Sequence, residues 1–213
     1  SSLWPSASSS RWTRSASSGG RLPVNALLPR PSDVKLIKSP SSGGRLPVTF
    51  YRAVSDLPEF TDYSMENRTY RYFTGKPLYP FGHGLSYTTF AYSNMQLSAD
   101  VIARNEMLTI SADVQNVGDY AGDEVVQLYV SNLTASVPTP IRQLAGFERI
   151  HLKAGQTRSI AFTLTPHQLS VIDDEGQRAV EPGEFQIASG GRQPAADIAA
   201  ESKVLIATFK VAA

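Results

Sequence analysis

The stretch Met107-Leu-Thr-Ile-Ser-Ala-Asp-Val-Gln-Asn116 decides how the chain is read. Leu108, Ile110, Ala112 and Val114 fall on one side of an extended backbone, and Thr109, Ser111, Asp113 and Gln115 on the other. Strand side chains alternate between two faces, so this period of two describes a strand with one apolar and one wet face. The pattern recurs outward from there. Val126, Leu128 and Val130 share a face in Glu124–Ser131; Ile160, Phe162 and Leu164 alternate with Ser159, Ala161, Thr163 and Thr165. Phe185 and Ile187 continue it, and Val204, Ile206 and Thr208 alternate with Leu205, Ala207 and Phe209. Between these runs stand Asn116-Val-Gly-Asp119, Lys153-Ala-Gly-Gln156, Asp173-Asp-Glu-Gly176 and Glu181-Pro-Gly183. Each supplies a residue that tolerates positive φ or fixes φ at a bend. Short strands separated by turns at this spacing predict an all-β fold, an antiparallel sandwich. Val126, Leu128, Ile160 and Phe162 are expected to face inward and to pack across its two sheets. Helix signals are nearly absent; Thr165-Pro-His-Gln-Leu169 predicts one turn, with Thr165 as cap and Pro166 at the first position.

The chain has 213 residues, enough for one ordinary domain with a tail. Apolar residues make up 41% and charged residues 18%, the balance of a globular chain. A net charge of +1 gives no field that would recruit nucleic acid or an anionic membrane. With no cysteine, disulfides and thiolate metal sites are excluded. No apolar run approaches the roughly 20 residues needed to span a bilayer, and the N-terminus carries no signal-peptide pattern.

Residues 1–42 are Ser-, Pro- and Gly-rich and show no period, which predicts a disordered tail. Both tryptophans, Trp4 and Trp12, fall there. The octapeptide SSGGRLPV occurs at Ser17–Val24 and again at Ser41–Val48. Two copies are too few for a stacked repeat, and a duplicated or misread stretch of coding sequence accounts for them. Residues 43–89 form a second segment, an aromatic linker. Leu46, Val48 and Phe50 alternate like a short strand; Tyr63, Tyr70, Tyr72, Phe73, Tyr79 and Phe81 then follow without period. Such rings seek a surface to lie on. Pro77 and Pro80 keep Arg68–Thr88 out of any central strand, so it is expected to run along the outside of the sandwich as an extended strap. The sandwich itself is expected over 90–213.

Few residues offer chemistry. Hydrolysis of a glycosidic bond needs two carboxylates at a fixed separation. The candidates are Asp123 with Glu124, Asp173-Asp174-Glu175, and Glu181 with Glu184. All lie in or beside predicted turns, where acidic side chains are solvated, and none is framed by apolar neighbours that would raise one of a pair. His83, His151 and His167 lack any metal-ligand spacing. Ser86 is followed by Tyr87-Thr88, not by the glycine of a nucleophile elbow. Arg68, Tyr70, Arg71 and Tyr72 interleave cations with rings, which fits a strap better than a nucleic-acid surface at this net charge. Asn67-Arg-Thr69 and Asn132-Leu-Thr134 match the glycosylation acceptor pattern. These readings leave no catalytic, cofactor-binding or metal residue to name.

Several motifs, in order, resemble a known family. Gly44-Arg-Leu-Pro-Val-Thr-Phe50, Leu57-Pro-Glu-Phe60 and Asp62-Tyr-Ser-Met65 look like the exit from the second domain of glycoside hydrolase family 3. So do Arg68-Thr-Tyr-Arg-Tyr-Phe73 and Pro77-Leu-Tyr-Pro-Phe-Gly-His-Gly-Leu-Ser-Tyr-Thr88. Asn116-Val-Gly-Asp-Tyr-Ala-Gly-Asp-Glu-Val-Val-Gln-Leu-Tyr-Val130 and Pro140-Ile-Arg-Gln-Leu-Ala-Gly-Phe147 are similar to the fibronectin type III-like domain of those enzymes, an immunoglobulin-like sandwich. The resemblance covers about residues 43–189 and points to the β-glucosidase and β-xylosidase branch. It implies a C-terminal piece of a larger enzyme, periplasmic or secreted, whose nucleophile and acid/base lie in upstream domains. On that reading the chain has no catalytic residue and needs no cofactor. Its partners are the upstream catalytic domains, and the uncovered strap exposes Tyr70, Tyr72, Phe73, Tyr79 and Phe81. The alternative is a free-standing sandwich that binds carbohydrate or protein.

Overall fold

The computed structural model describes residues 44–173, 175–194 and 204–213. The predicted tail, with Trp4, Trp12 and the first octapeptide copy, lies outside the described residues, as does Asp174. Ten strands follow the linker: β1 Phe90–Leu97, β2 Val101–Ile102, β3 Leu108–Asn116, β4 Gly122–Asn132, β5 Gln143–Leu152, β6 Thr157–Leu164, β7 Val171–Ile172, β8 Arg178–Ala179, β9 Gly183–Gly190 and β10 Val204–Val211. They form a three-stranded sheet, β1-β3-β6, a five-stranded sheet, β2-β10-β9-β4-β5, and a small β7-β8 ribbon. Pairing is antiparallel except for β2, which runs parallel to β10 through Val101 and Ile102.

The alternation read in β3 is the alternation of its burial. Leu108, Ile110, Ala112 and Val114 are buried, and their partners on β6 include Leu164 opposite Leu108 and Ile160 opposite Ala112. From the facing sheet, Leu128, Phe185, Ile187 and Phe209 meet Leu108 and Ile110, and the Phe185 and Phe209 rings stack 5.3 Å apart. A second cluster, Phe90, Val114, Val126, Ile150, Leu152 and Ile160, continues the core toward the other end. Of the four expected core residues, Val126, Leu128 and Ile160 are fully inward. Phe162 is only half-buried, although it touches both clusters. It lies on β6, the edge of its sheet, over Gly146 of the edge strand β5, so one side of the ring meets solvent.

Two irregularities shape the edges. In β1 the register slips between Ser93 and Gln96, where Asn94 takes φ 53° and donates to Asp113 at 2.8 Å. On β5, Leu128 faces Gly146 while Tyr129 faces Leu144, leaving Ala145 as the extra residue of a bulge. Its carbonyl accepts from the Gln168 amide at 2.7 Å. Gln168 belongs to α2, Pro166–Leu169, the one turn read from the sequence, and its side chain also accepts from the Thr165 N–H at 2.9 Å. The expected strand at 46–50 is not a strand. Phe50 makes one isolated bridge to Tyr79, and a bend at Pro47–Val48 separates it from the hydrogen bonds that Leu46 makes to Gly82 and His83.

Leu128→Ala should lower unfolding free energy by about 2–5 kcal/mol in denaturant titration, the usual range for a fully buried leucine. Phe162→Ala should cost less, despite the larger side chain, because its ring keeps a solvent-facing side. The reverse order would place Phe162 deeper than the edge described above.

Candidate functional site

β4 is buried on both faces along its middle. Val126, Leu128 and Val130 enter the core, while Gln127 and Tyr129, which point the other way, are buried as well. What covers them is the strap. Tyr70, in the single helical turn α1, Thr69–Tyr72, stacks on Phe81 at 4.0 Å and meets Tyr129 edge-on at 6.2 Å. The Tyr70 hydroxyl accepts the Leu144 N–H at 3.1 Å, and the Arg71 carbonyl accepts the Ile141 N–H at 2.7 Å. The Arg71 guanidinium donates to the Gln143 amide oxygen. Beneath, the Gln127 amide donates to the carbonyls of Gly82 and Gly191, at 3.2 and 3.1 Å, and accepts from the Tyr129 hydroxyl at 2.6 Å. Burial, and then neighbouring Tyr70, push that hydroxyl far above the ordinary tyrosine value, so it remains a donor. Gly82 has φ +75° and no room for a side chain: a Cβ there would land on the Gln127 amide oxygen and 2.9 Å from the Tyr129 hydroxyl.

At its ends the strap is tied by polar groups. Leu46 and Phe50 hydrogen-bond to His83 and Tyr79, holding 46–50 beside 78–83. Arg45 forms an ion pair with Glu124 that is almost wholly buried, and Tyr92 lies beside the same carboxylate next to Gly191. Asn116, fully buried, is the knot at the other end. Its amide oxygen accepts from the Thr88 hydroxyl at 2.6 Å and the Gly118 N–H at 3.1 Å, and its amide group donates to the carbonyls of Tyr120 and Leu152. The strap's end, the β3–β4 loop and β5 thus meet on one side chain.

Preceding the strap, residues 52–66 stand off the sandwich. Val54, Leu57, Phe60, Tyr63 and Met65 are exposed, Phe60 and Tyr63 at 93% and 90%. The loop is nevertheless built. The Arg68 guanidinium donates to the carbonyls of Glu59, Asp62 and Ser64. Asp56 accepts the N–H groups of Arg52 and Ala53, and Asp62 that of Ser64. Thr69, a β-branched residue at φ 56°, is held there by the Tyr51 hydroxyl, which accepts its N–H at 3.0 Å.

The acidic candidates are dispersed and structural. Asp123 accepts from Arg149 and lies 2.6 Å from the exposed His151 ring; the Arg149 hydrogen bond, more than the His151 contact, holds its carboxyl below the ordinary value. Glu124 corrects the expectation of a solvated turn, since β4 carries it inward to Arg45. Asp173 caps its turn by accepting the Gln177 N–H at 2.6 Å. Glu175 is exposed in that turn, and Glu181 binds Ser136, which lowers its carboxyl. Glu184 is half-buried, its N–H donating to Thr134 at 2.9 Å. Ser86 accepts the Thr88 N–H, a local turn. His167 is exposed on α2. The Asn67 amide oxygen accepts from Thr74, and that of Asn132 from the Thr134 N–H. Arg68 donates to main-chain carbonyls of its own loop, and Arg71 donates through one terminal nitrogen to Gln143. Among the described residues no group of three or more acidic or histidine side chains could hold a metal, and no helix is long and apolar enough to cross a membrane. The rings expected to be uncovered are mostly engaged: Phe73 is buried against Tyr51, and Tyr70, Tyr72, Tyr79 and Phe81 are half-buried. Sequence reasoning missed Asn116, Gln127 and the Arg45–Glu124 pair, which depend on residues 28 to 79 positions apart.

Residues 124–193 match the family described as fibronectin type III-like domain, the class that the two sheets and their order define. A β-xylosidase of Formosa agariphila is 43% identical over 129 residues, 61% of this chain and 18% of that protein. The periplasmic β-glucosidase of Salmonella typhimurium is 36% identical over 154 residues, 67% of this chain and 20% of that protein. Among solved structures, a β-glucosidase from Erythrobacter marinus superposes with a TM-score of 0.65 at 35% identity, over 79% of this chain and 22% of that one. The chain is homologous to the C-terminal part of family 3 β-glucosidases and β-xylosidases. It spans about a fifth of the length of the curated relatives it matches.

Gly82 and Gly176 both hold positive φ, near +75°, but a Cβ at Gly176 would meet nothing within 4 Å. Gly176→Ala should therefore cost only the backbone term, about 1–2 kcal/mol. Gly82→Ala should cost more and should raise proteolysis within 68–88. Equal losses in thermal melts, with the strap still protected, would show that it does not press on β4 at Gly82.

Proposed function

We propose that this chain is the non-catalytic C-terminal structural module of a family 3 enzyme that hydrolyses β-glucosides or β-xylosides. In this reading residues 43–89 link the module to the upstream catalytic domains and residues 90–213 are the sandwich. The observation that carries it is the loop at 52–66: Val54, Leu57, Phe60, Tyr63 and Met65 are each exposed on a backbone held by Arg68 and Asp56. A fixed apolar surface of this kind marks an interface, and homologous chains continue far beyond the region shared with this one. Asp173, Glu124 and Asp123 support the same reading, since they are engaged in a turn and in ion pairs with arginines.

Purified alone, the chain should release no aryl alcohol from aryl β-glucosides or β-xylosides above buffer. It should bind a hydrophobic dye, and Phe60→Ser with Tyr63→Ser should reduce that binding several-fold without shifting the melting temperature. Adding the separately expressed upstream portion of a parent enzyme should do the same for the unaltered chain. Turnover by the chain, or dye binding indifferent to both treatments, would overturn the proposal. Suppression of dye binding by oligosaccharides alone would support a carbohydrate-binding sandwich instead.

A further inference from the structure

Arg142 stands at the entry to β5, in the corner Pro138-Thr-Pro-Ile-Arg142, and its main chain is fixed on both sides. Pro138 and Pro140 preset φ ahead of it. The Ile141 N–H donates to the Arg71 carbonyl at 2.7 Å, and the Leu144 N–H to the Tyr70 hydroxyl at 3.1 Å. Gln143, between them, pairs with Val130 and accepts from the Arg71 guanidinium. Held in this way, the Arg142 side chain is half-buried, and the Tyr129 hydroxyl is near enough to act on its charge. That hydroxyl stays neutral and gives its own hydrogen to Gln127. Arg45, Arg68 and Arg71 are half-buried too, but each donates to a carboxylate, a carbonyl or an amide oxygen. Among the described residues, Arg142 alone of these four has neither an ion pair nor a side-chain hydrogen bond.

We propose that Arg142 is the anchor for a carboxylate of the upstream catalytic domains, which extends their docking surface from the loop at 52–66 across α1 to the start of β5. The inference rests on the reading of the chain as a module of such an enzyme. A guanidinium keeps its proton throughout the physiological range, so drying it without an anion is a standing cost to the isolated chain. A carboxylate arriving with the partner removes that cost, because the planar fork takes it through two parallel hydrogen bonds. The position of Arg142 selects this partner. The Tyr51 hydroxyl ties Asn67 and Thr69 at the root of the loop, and two residues on the Arg71 carbonyl ties Ile141. The corner therefore continues the surface that the loop begins. Ile141, next to Arg142 in the chain, is itself exposed. An arginine set at the margin of apolar surface is the composition of an interface core.

Calorimetric titration of the full chain with the separately expressed upstream portion of a parent enzyme tests this, beside thermal melts of the chain alone. Arg142→Met keeps the apolar stem and removes the charge. It should weaken association by about thirtyfold or more, the loss expected when one side of a desolvated charge pair is truncated. The melting temperature of the chain alone should hold or rise, and Arg142→Lys should restore part of the affinity. A lower melting temperature for Arg142→Met would show that the charge is already satisfied within the chain, and would overturn the proposal. Association as tight as that of the unaltered chain would overturn the anchor and leave the module reading standing. No association even by the unaltered chain would remove both. If citrate stabilises the unaltered chain but not Arg142→Met, while association is indifferent to the substitution, the ligand is a free anion and the docking proposal fails. Independently of any variant, the Arg142 guanidinium N–H signals in NMR should shift and exchange more slowly with water once the upstream portion is added; unchanged signals in the complex would equally overturn it.

Discussion

The rest of the structure depends on β4 being dry on both faces. A strand at the centre of a sandwich needs one apolar face. β4 carries Val126, Leu128 and Val130 for that purpose, then adds Gln127 and Tyr129 on the side that would ordinarily meet water. Burying these polar groups is tolerable only because each has partners in the strap or in its neighbour. The strap in turn has no core of its own. Its rings lie against β4 and β5, and its backbone bonds reach Ile141 and Leu144. Each depends on the other, which makes the linker an integral third layer rather than an appendage.

The buried ions and the buried asparagine set where that layer begins and ends. The Arg45–Glu124 pair contributes less to stability than its burial suggests, because both charges lose hydration on entering the fold. Its worth is in register: removing one partner would leave the other charged and dry. Asn116 does the same at the far end with neutral groups, satisfying carbonyls and donors of three segments at once. Together they fix the direction of the strap across the sheet, which ring stacking alone would leave free to slide.

Much of the sandwich was legible in the sequence, because strands with one wet face write their period directly. β3, β4, β6 and β9 all read correctly from Leu108, Val126, Ile160 and Phe185. The helical turn at Pro166 was equally plain, since cap, proline and Gln168 are local chemistry. The strap was harder. Its rings announce a surface but not which one, and only folding shows that Tyr70, with Phe81 stacked on it, meets Tyr129 of this sheet while Phe60 and Tyr63 stay exposed. Glu124 misled for a related reason. It follows turn residues and looks solvated, yet it is in phase with Val126, and its partner lies 79 positions away. Phe162 was in phase too, but an edge position is a property of strand order, which periodicity does not encode.

The order of strands has a consequence for synthesis. β10 comes last along the chain, yet it lies inside the larger sheet, between β2 and β9. Until it emerges from the ribosome, one flank of β9 has no neighbour, and Phe185 lacks the Phe209 ring that stacks on it. A nascent chain must therefore carry an open sheet edge from the completion of β9 at Gly190 until β10, Val204–Val211, has joined it. That exposure invites pairing between neighbouring nascent chains on one message, so the pace of translation between β9 and β10 bears on how much protein reaches the native sandwich.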